Sequence, residues 1–195
     1  MGDLEQAIFW RRRTELPLDE RIYRFAEALL AVKELEYFRA AKNGPLPDRI
    51  GELRDHILKG VETKHQLEGS KLSVPERVKA ARKHILTKRA EAETAGHADA
   101  TLDDDLEDLF LVVQSFSYPG DYVQEKPTIE RLAETLDKFE EDVLQRDTAT
   151  IKAKRSAKVQ FGEPVEVVGD KKVKGQTTSL TTAVESRVQA MFDQA

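Results

Sequence analysis

Hydrophobic residues recur along most of this chain at steps of three and four, the spacing that places them on one face of a helix. It predicts a short helix from Leu4 to about Arg13, ending in Arg11-Arg12-Arg13, where cations complement the helix dipole. Pro17 opens a second helix with Asp19 and Glu20 in its first turn, and Leu18, Ile22, Phe25, Leu29, Val32 and Leu35 form its apolar face. Asn43-Gly44-Pro45-Leu46-Pro47 breaks that pattern, and Ile50, Leu53, Ile57 and Val61 mark a third helix. After a polar loop from Leu67 to Lys71, Ser73-Val74-Pro75-Glu76 has the form of a capping box; Val78, Ala81 and Ile85 continue the helix, which fades by Gly96. Thr101 with Asp103, Asp104 and Asp105 starts another helix, running to about Phe116. Tyr118-Pro119-Gly120-Asp121-Tyr122 has the chemistry of a type II turn. Beyond Pro127, Ile129, Leu132, Leu136, Phe139 and Val143 form the cleanest stripe in the chain; it is too short for a coiled coil and reads as packing inside a bundle.

The pattern changes near the end. A basic connector, Lys152 to Lys158, leads into a strand-like segment around Val159, Phe161, Val165 and Val167, interrupted by the turn residues Gly162-Glu163-Pro164. A polar connection then precedes a closing helix, Ser179 to Asp193. The expected fold is mainly α: residues 1–157 form a bundle of about six or seven helices, and residues 158–195 a short β element with the closing helix. A strand and a helix alone bury little surface, so this closing segment needs something to lean on. No internal repeat or low-complexity tract stands out.

Composition narrows the function. The 195 residues suffice for one domain with a true core, and 34% charged residues with a mean hydropathy of -0.55 suit amphipathic surface helices. A net charge of -5 and a pI near 5.5 speak against a nucleic-acid partner, which calls for an excess of Lys and Arg on one face. With no cysteine there is no disulfide framework, thiolate metal site or cysteine nucleophile. The start Met1-Gly2-Asp3-Leu4-Glu5 lacks the basic and apolar regions of a secretory signal, and no stretch approaches the roughly 20 apolar residues of a membrane span. Any membrane contact is expected at the surface.

Several signatures follow one another in order: Leu16-Pro17-Leu18-Asp19-Glu20-Arg21-Ile22-Tyr23, Lys33-Glu34-Leu35-Glu36-Tyr37, Tyr118-Pro119-Gly120-Asp121-Tyr122, and Glu130-Arg131 through Phe139-Glu140-Glu141-Asp142. With Gly162-Glu163-Pro164-Val165-Glu166-Val167 they resemble the C-terminal half of a bacterial phospholipid/glycerol acyltransferase of the lysophosphatidic acid acyltransferase type, in a long variant with a helical insertion. The resemblance covers essentially the whole chain. It implies an α/β catalytic domain that moves an acyl group from a thioester donor to a glycerol-phosphate hydroxyl, closed by a Gly-x-Pro-Ile/Val segment and a final helix like those here. On that reading Met1 falls just after the family's last core strand, and Leu4 to about Ala157 are an excursion before the chain returns to finish the domain. The implied partner is the missing N-terminal acyltransferase half, and the implied location is the cytoplasm, at the inner membrane surface.

The family's general base is a His with an Asp five positions later. Val61, Ser70, Arg89 and Leu102 stand five residues after His56, His65, His84 and His97, so the motif is absent and no catalytic residue is assigned. His97 has Asp103 six positions on, which is the wrong spacing and reads as a loop His beside a helix cap. Glu68-Gly69-Ser70-Lys71 echoes the family's phosphate-binding Glu-Gly-Thr/Ser-Arg, but it has Lys for a bidentate guanidinium and lies inside the excursion. Asp99, Asp103, Asp104, Asp105, Glu107 and Asp108 lack the spacing of a calcium loop and read as acids at a helix start and on its wet face. No metal and no cofactor is expected. The one candidate contact is Trp10 with Arg11, Arg12 and Arg13, an aromatic and three cations suited to a membrane surface or a phosphate, set against the plainer reading of a solvated helix end.

The chain by itself is therefore expected to be inactive in acyl transfer. The alternative is a free-standing, non-enzymatic helical interaction module. The two differ at the closing segment: the acyltransferase reading leaves Phe161 and its neighbours in water with an unpaired backbone edge, whereas a self-standing module buries both.

Overall fold

The computed structural model describes residues 1–69, 71–96, 99–154, 156, 158–167 and 175–193. Within them the chain is mainly helical: α1 Gly2–Phe9, α2 Leu18–Phe38, α3 Leu46–His65, α4 Val74–Thr94, α5 Ala100–Ser115, α6 Tyr122–Glu125, α7 Ile129–Asp142 and α8 Gln176–Asp193. It divides into two compact units, Met1–Thr150 and Ile151–Ala195.

The first unit has two apolar clusters that share α2 as a wall. Leu30 and Leu53, Ile57, Leu58 and Val61 of α2 and α3 pack with Ala81 and Ile85 of α4 and Leu102, Leu109 and Val112 of α5. The second cluster joins Leu4, Ile22, Phe25, Val123, Leu136 and Phe139, with the Phe25 and Phe139 rings 5.0 Å apart. The α7 stripe is thus core packing, as its pattern predicts, although Ile129 at its first position is exposed.

Local chemistry sets the helix ends. The Ser73 amide donates to Glu76 at 2.9 Å, completing the capping box of α4. Asp99 caps α5 by accepting from the Thr101 amide at 3.0 Å, so this helix begins one residue before the expected Thr101. The chain bends at Gly120, whose φ of +93° is one that glycine adopts readily, and a Cβ there would lie 2.8 Å from the Pro47 nitrogen.

Three expectations are corrected. First, α1 stops at Phe9 with Trp10 left-handed at φ 54°, because Glu5 holds the chain back: it accepts from the Arg13 amide and from Arg21. Second, Val32 and Leu35 of α2 stand 52% and 51% exposed, and the inward positions belong to Leu30 and Glu34. Third, no strand forms among the described residues; 158–167 is extended but has no neighbouring strand, and its Glu163 and Pro164 carbonyls accept from Arg187 of α8 at 2.7 and 3.1 Å. Ser70, His97 and Ala157, and the tail of the closing segment from Val168 to Lys174, lie outside the described residues.

A regularity joins α1 to α4. A buried glutamate of one helix, within the last turns of α2 and α3 and midway along α1, receives two guanidinium nitrogens of an arginine in the first turn of the next: Arg21 to Glu5 at 2.8 and 2.6 Å, Arg49 to Glu34 at 2.8 and 2.7 Å, Arg77 to Glu62 at 2.8 and 2.7 Å. The last three of these helices begin at Leu18, Leu46 and Val74, 28 residues apart each time, and each places its arginine at the fourth position. The bundle therefore contains a short internal repeat that hydrophobic spacing alone does not reveal.

Candidate functional site

The arginine triplet does not form one free patch. Arg12 pairs with Asp3 at 3.3 Å and Arg13 with Glu15 at 3.6 Å. Trp10 is 84% exposed, and Arg11 forms no ion pair among the described residues. This end of α1 offers a surface the exposed Trp10 and Phe9 rings and Arg11, with Arg12 and Arg13 held in exposed ion pairs.

The structure brings together one His–Asp pair that fixed spacing misses. His65 Nε2 lies 2.7 Å from Asp105, and Lys64 donates to the same carboxylate at 2.8 Å. The pair joins residues 40 positions apart, one at the end of α3 and one in the first turns of α5. Asp105 therefore leaves the wet face expected of the acidic run, and Asp108 also turns inward to accept from the Tyr37 hydroxyl. Burial raises the Asp108 carboxyl above the ordinary range, and Tyr37 offsets that in part. The His65 ring is nearly buried, edge-on to His84 at 5.6 Å, and its Nδ1 is buried with no hydrogen-bond partner among the described residues. This arrangement orients an imidazole and fastens α3 to α5. A general base must reach the proton it removes; His65 has Nε2 engaged by Asp105 and a nearly buried side chain, at the wall of a cavity it shares with Lys64, Lys88 and Thr101. His56 packs tilted against Phe38, with ring centroids 4.6 Å apart, and has no carboxylate partner in the described residues. The geometry gives no helix able to cross a membrane and no group of three metal-ligating side chains among the described residues.

A cavity of about 370 Å³ lies where the two apolar clusters meet. Tyr118 stands at its edge, stacked on Phe139 at 5.2 Å and donating to Asp142 at 2.6 Å; burial drives its phenol well above the usual range. Most of the lining surface is apolar, with Lys33, Arg54, Ser117, Thr135 and Asp142 among the polar residues that border it.

The second unit has a different character. Its extended segment runs past the end of α8, where Gly162 approaches the Met191 sulfur closely enough that a Cβ would lie 3.3 Å away. Val159, Phe161 and Val167 are exposed, Phe161 at 91%, and only Val165 is half-buried. The helix α8 buries none of its described residues, and Val184, Val188 and Phe192 on its apolar stripe face water. Two apolar surfaces, one extended and one helical, are held together by Arg187 without a core beneath them.

No family model, no curated protein and no solved structure matches the chain. Its reading rests on its own residues.

Proposed function

We propose that this chain is the C-terminal, non-catalytic region of a phospholipid/glycerol acyltransferase-like protein, and that its closing segment completes an α/β catalytic unit supplied by a partner region. The observation that carries this reading is the uncovered apolar surface of the second unit: Val159, Phe161 and Val167 beside Val184, Val188 and Phe192. An extended segment with no strand beside it among the described residues suits addition to the edge of a sheet, where Val159 and Phe161 would share one face. An amphipathic helix that follows directly suits the flank of that same sheet. The ordered signatures from Leu16-Pro17-Leu18 to Gly162-Glu163-Pro164 give the partner's class.

In this reading the acyl-transfer chemistry belongs to the partner unit. Acyl transfer from a thioester to a glycerol-phosphate hydroxyl needs a base within reach of that hydroxyl. The His65–Asp105 pair is largely buried and fastens α3 to α5, so in this reading the helical unit serves as a scaffold. The cytoplasmic face of the inner membrane is the natural place for such a protein, and exposed Trp10 and Arg11 suit a light contact there.

The test is acyl transfer to lysophosphatidic acid from an acyl thioester. The purified chain alone should give no turnover. The DNA encoding it should also encode, in the same frame or a neighbouring one, His-x-x-x-x-Asp and Glu-Gly-Thr-Arg elements, and the combined product should be active. Robust turnover by the isolated chain would overturn the proposal.

A further inference from the structure

A groove of about 1210 Å³ runs along the outer face of α4, with Val113 and Phe116 of α5 as its far wall. Its lining extends from Pro75 to Thr94, about 28 Å at the helical rise of about 1.5 Å per residue. Leu86, Val113 and Phe116 are exposed along it, which is unusual for apolar side chains this large gathered on one surface. Lys79, Arg82 and Lys83 stand among them. The ion pairs of α4 engage Arg77 and Arg89; none engages these three cations among the described residues. The chain as a whole is acidic, with a net charge of -5, yet the lining of this groove carries three cations against one carboxylate, Glu91. The groove is thus a local reversal of sign over an apolar floor.

We infer that this groove is a docking site for an acidic amphipathic α-helix of a partner protein. A helix satisfies its own backbone hydrogen bonds, so it can lie in a groove between two helices that offers no sheet edge. Apolar side chains of the incoming helix at i, i+3, i+4 and i+7 would meet Leu86, Val113 and Phe116, and carboxylates flanking them would meet Lys79, Arg82 and Lys83. About five helical turns fit the length of the groove. The unpaired cations select for acid over base, because a basic helix would bring like charges together over a dry floor. This inference is independent of the acyltransferase reading, as it uses neither α8 nor the extended segment.

The experiment uses the full chain and a fluorescein-labelled peptide of about 18 residues with a leucine stripe and flanking glutamates, long enough to span the groove as a helix. Fluorescence anisotropy should show saturable binding that weakens as salt is raised, and the same peptide with lysine for glutamate should bind at least about tenfold more weakly. The double substitution Arg82→Glu with Lys83→Glu, and separately Leu86→Asp, should each weaken binding at least about tenfold. Val32→Asp, at an exposed position on α2, should leave it unchanged, and circular dichroism should show all variants folded. Equal binding of the acidic and basic peptides, or insensitivity to the groove substitutions in folded variants, would overturn the inference. So would light scattering that shows the groove closed by a second copy, or binding to phosphatidylglycerol vesicles in place of the peptide.

Discussion

Glu34 has no exposed surface, yet its two oxygens accept from three donors: Arg49 Nε, Arg49 Nη2 and the Lys42 amide. Truncating one member strands the other as an uncompensated buried charge, so Glu34→Ala should cost about 3–5 kcal/mol in urea unfolding. The double change Glu34→Leu with Arg49→Met should recover most of that loss, because desolvation of both ions is then avoided. The same geometry sets an acid limit. Arg49 beside Glu34, and Arg21 beside Glu5, hold these carboxyls below the ordinary glutamate value of 4.5. A depressed carboxylate stabilises the fold above its unfolded-state pKa, and that stabilisation disappears as pH falls from 4.5 through the folded value. Unfolding free energy measured from pH 7 downward should therefore start to fall near 4.5, and fall less steeply in Glu34→Gln. Such residues are partly legible in the sequence. Asp105 shares a face with Leu102, Leu109 and Val112, and Glu34 follows Leu30 by one turn; a carboxylate inside an apolar stripe signals a buried partner. The partner itself is not legible, since His65 and Asp105 meet only through the packing of α3 on α5.

At the level of elements, capping and turn chemistry were written plainly in the chain. Ser73 with Glu76, the apolar stripe of α7 and the turn at Pro119-Gly120 all stand where local sequence places them. Local sequence decides the cap and the Gly120 bend because each uses contacts within a few residues, whereas the α7 stripe is legible in its spacing and is buried by distant residues of α1 and α2. The face of α2 is different: Val32 and Leu35 satisfy helical spacing as well as Leu30 and Glu34 do, and only the arginine from α3 chooses between them. The β element failed for a related reason, as a strand exists only beside another. Gly120 offers a clean check on how the elements are assembled. Its positive φ and its approach to Pro47 leave no room for a methyl group, so Gly120→Ala should cost more than about 1 kcal/mol by thermal or urea unfolding. A neutral effect would mean that the loop before α6 does not press on the start of α3.

At the scale of the whole molecule, the two units have unequal claims to independence. Both apolar clusters lie within Met1–Thr150, so residues 1–150 expressed alone should unfold in a single cooperative transition with the urea midpoint of the full chain. A lost or broadened transition would show that the helical unit relies on the remainder. The second unit keeps large apolar side chains in water, and the account rests on their being covered by an acyltransferase α/β unit. Amide hydrogen exchange tests this most directly, read on the full chain alone and in complex with that unit. Amides from Val159 to Val167 should exchange without protection in the isolated chain and become protected in the complex, while those of α3 and α5 stay as they were. Protection of this segment in the isolated chain, or its continued free exchange in the complex, would contradict the account.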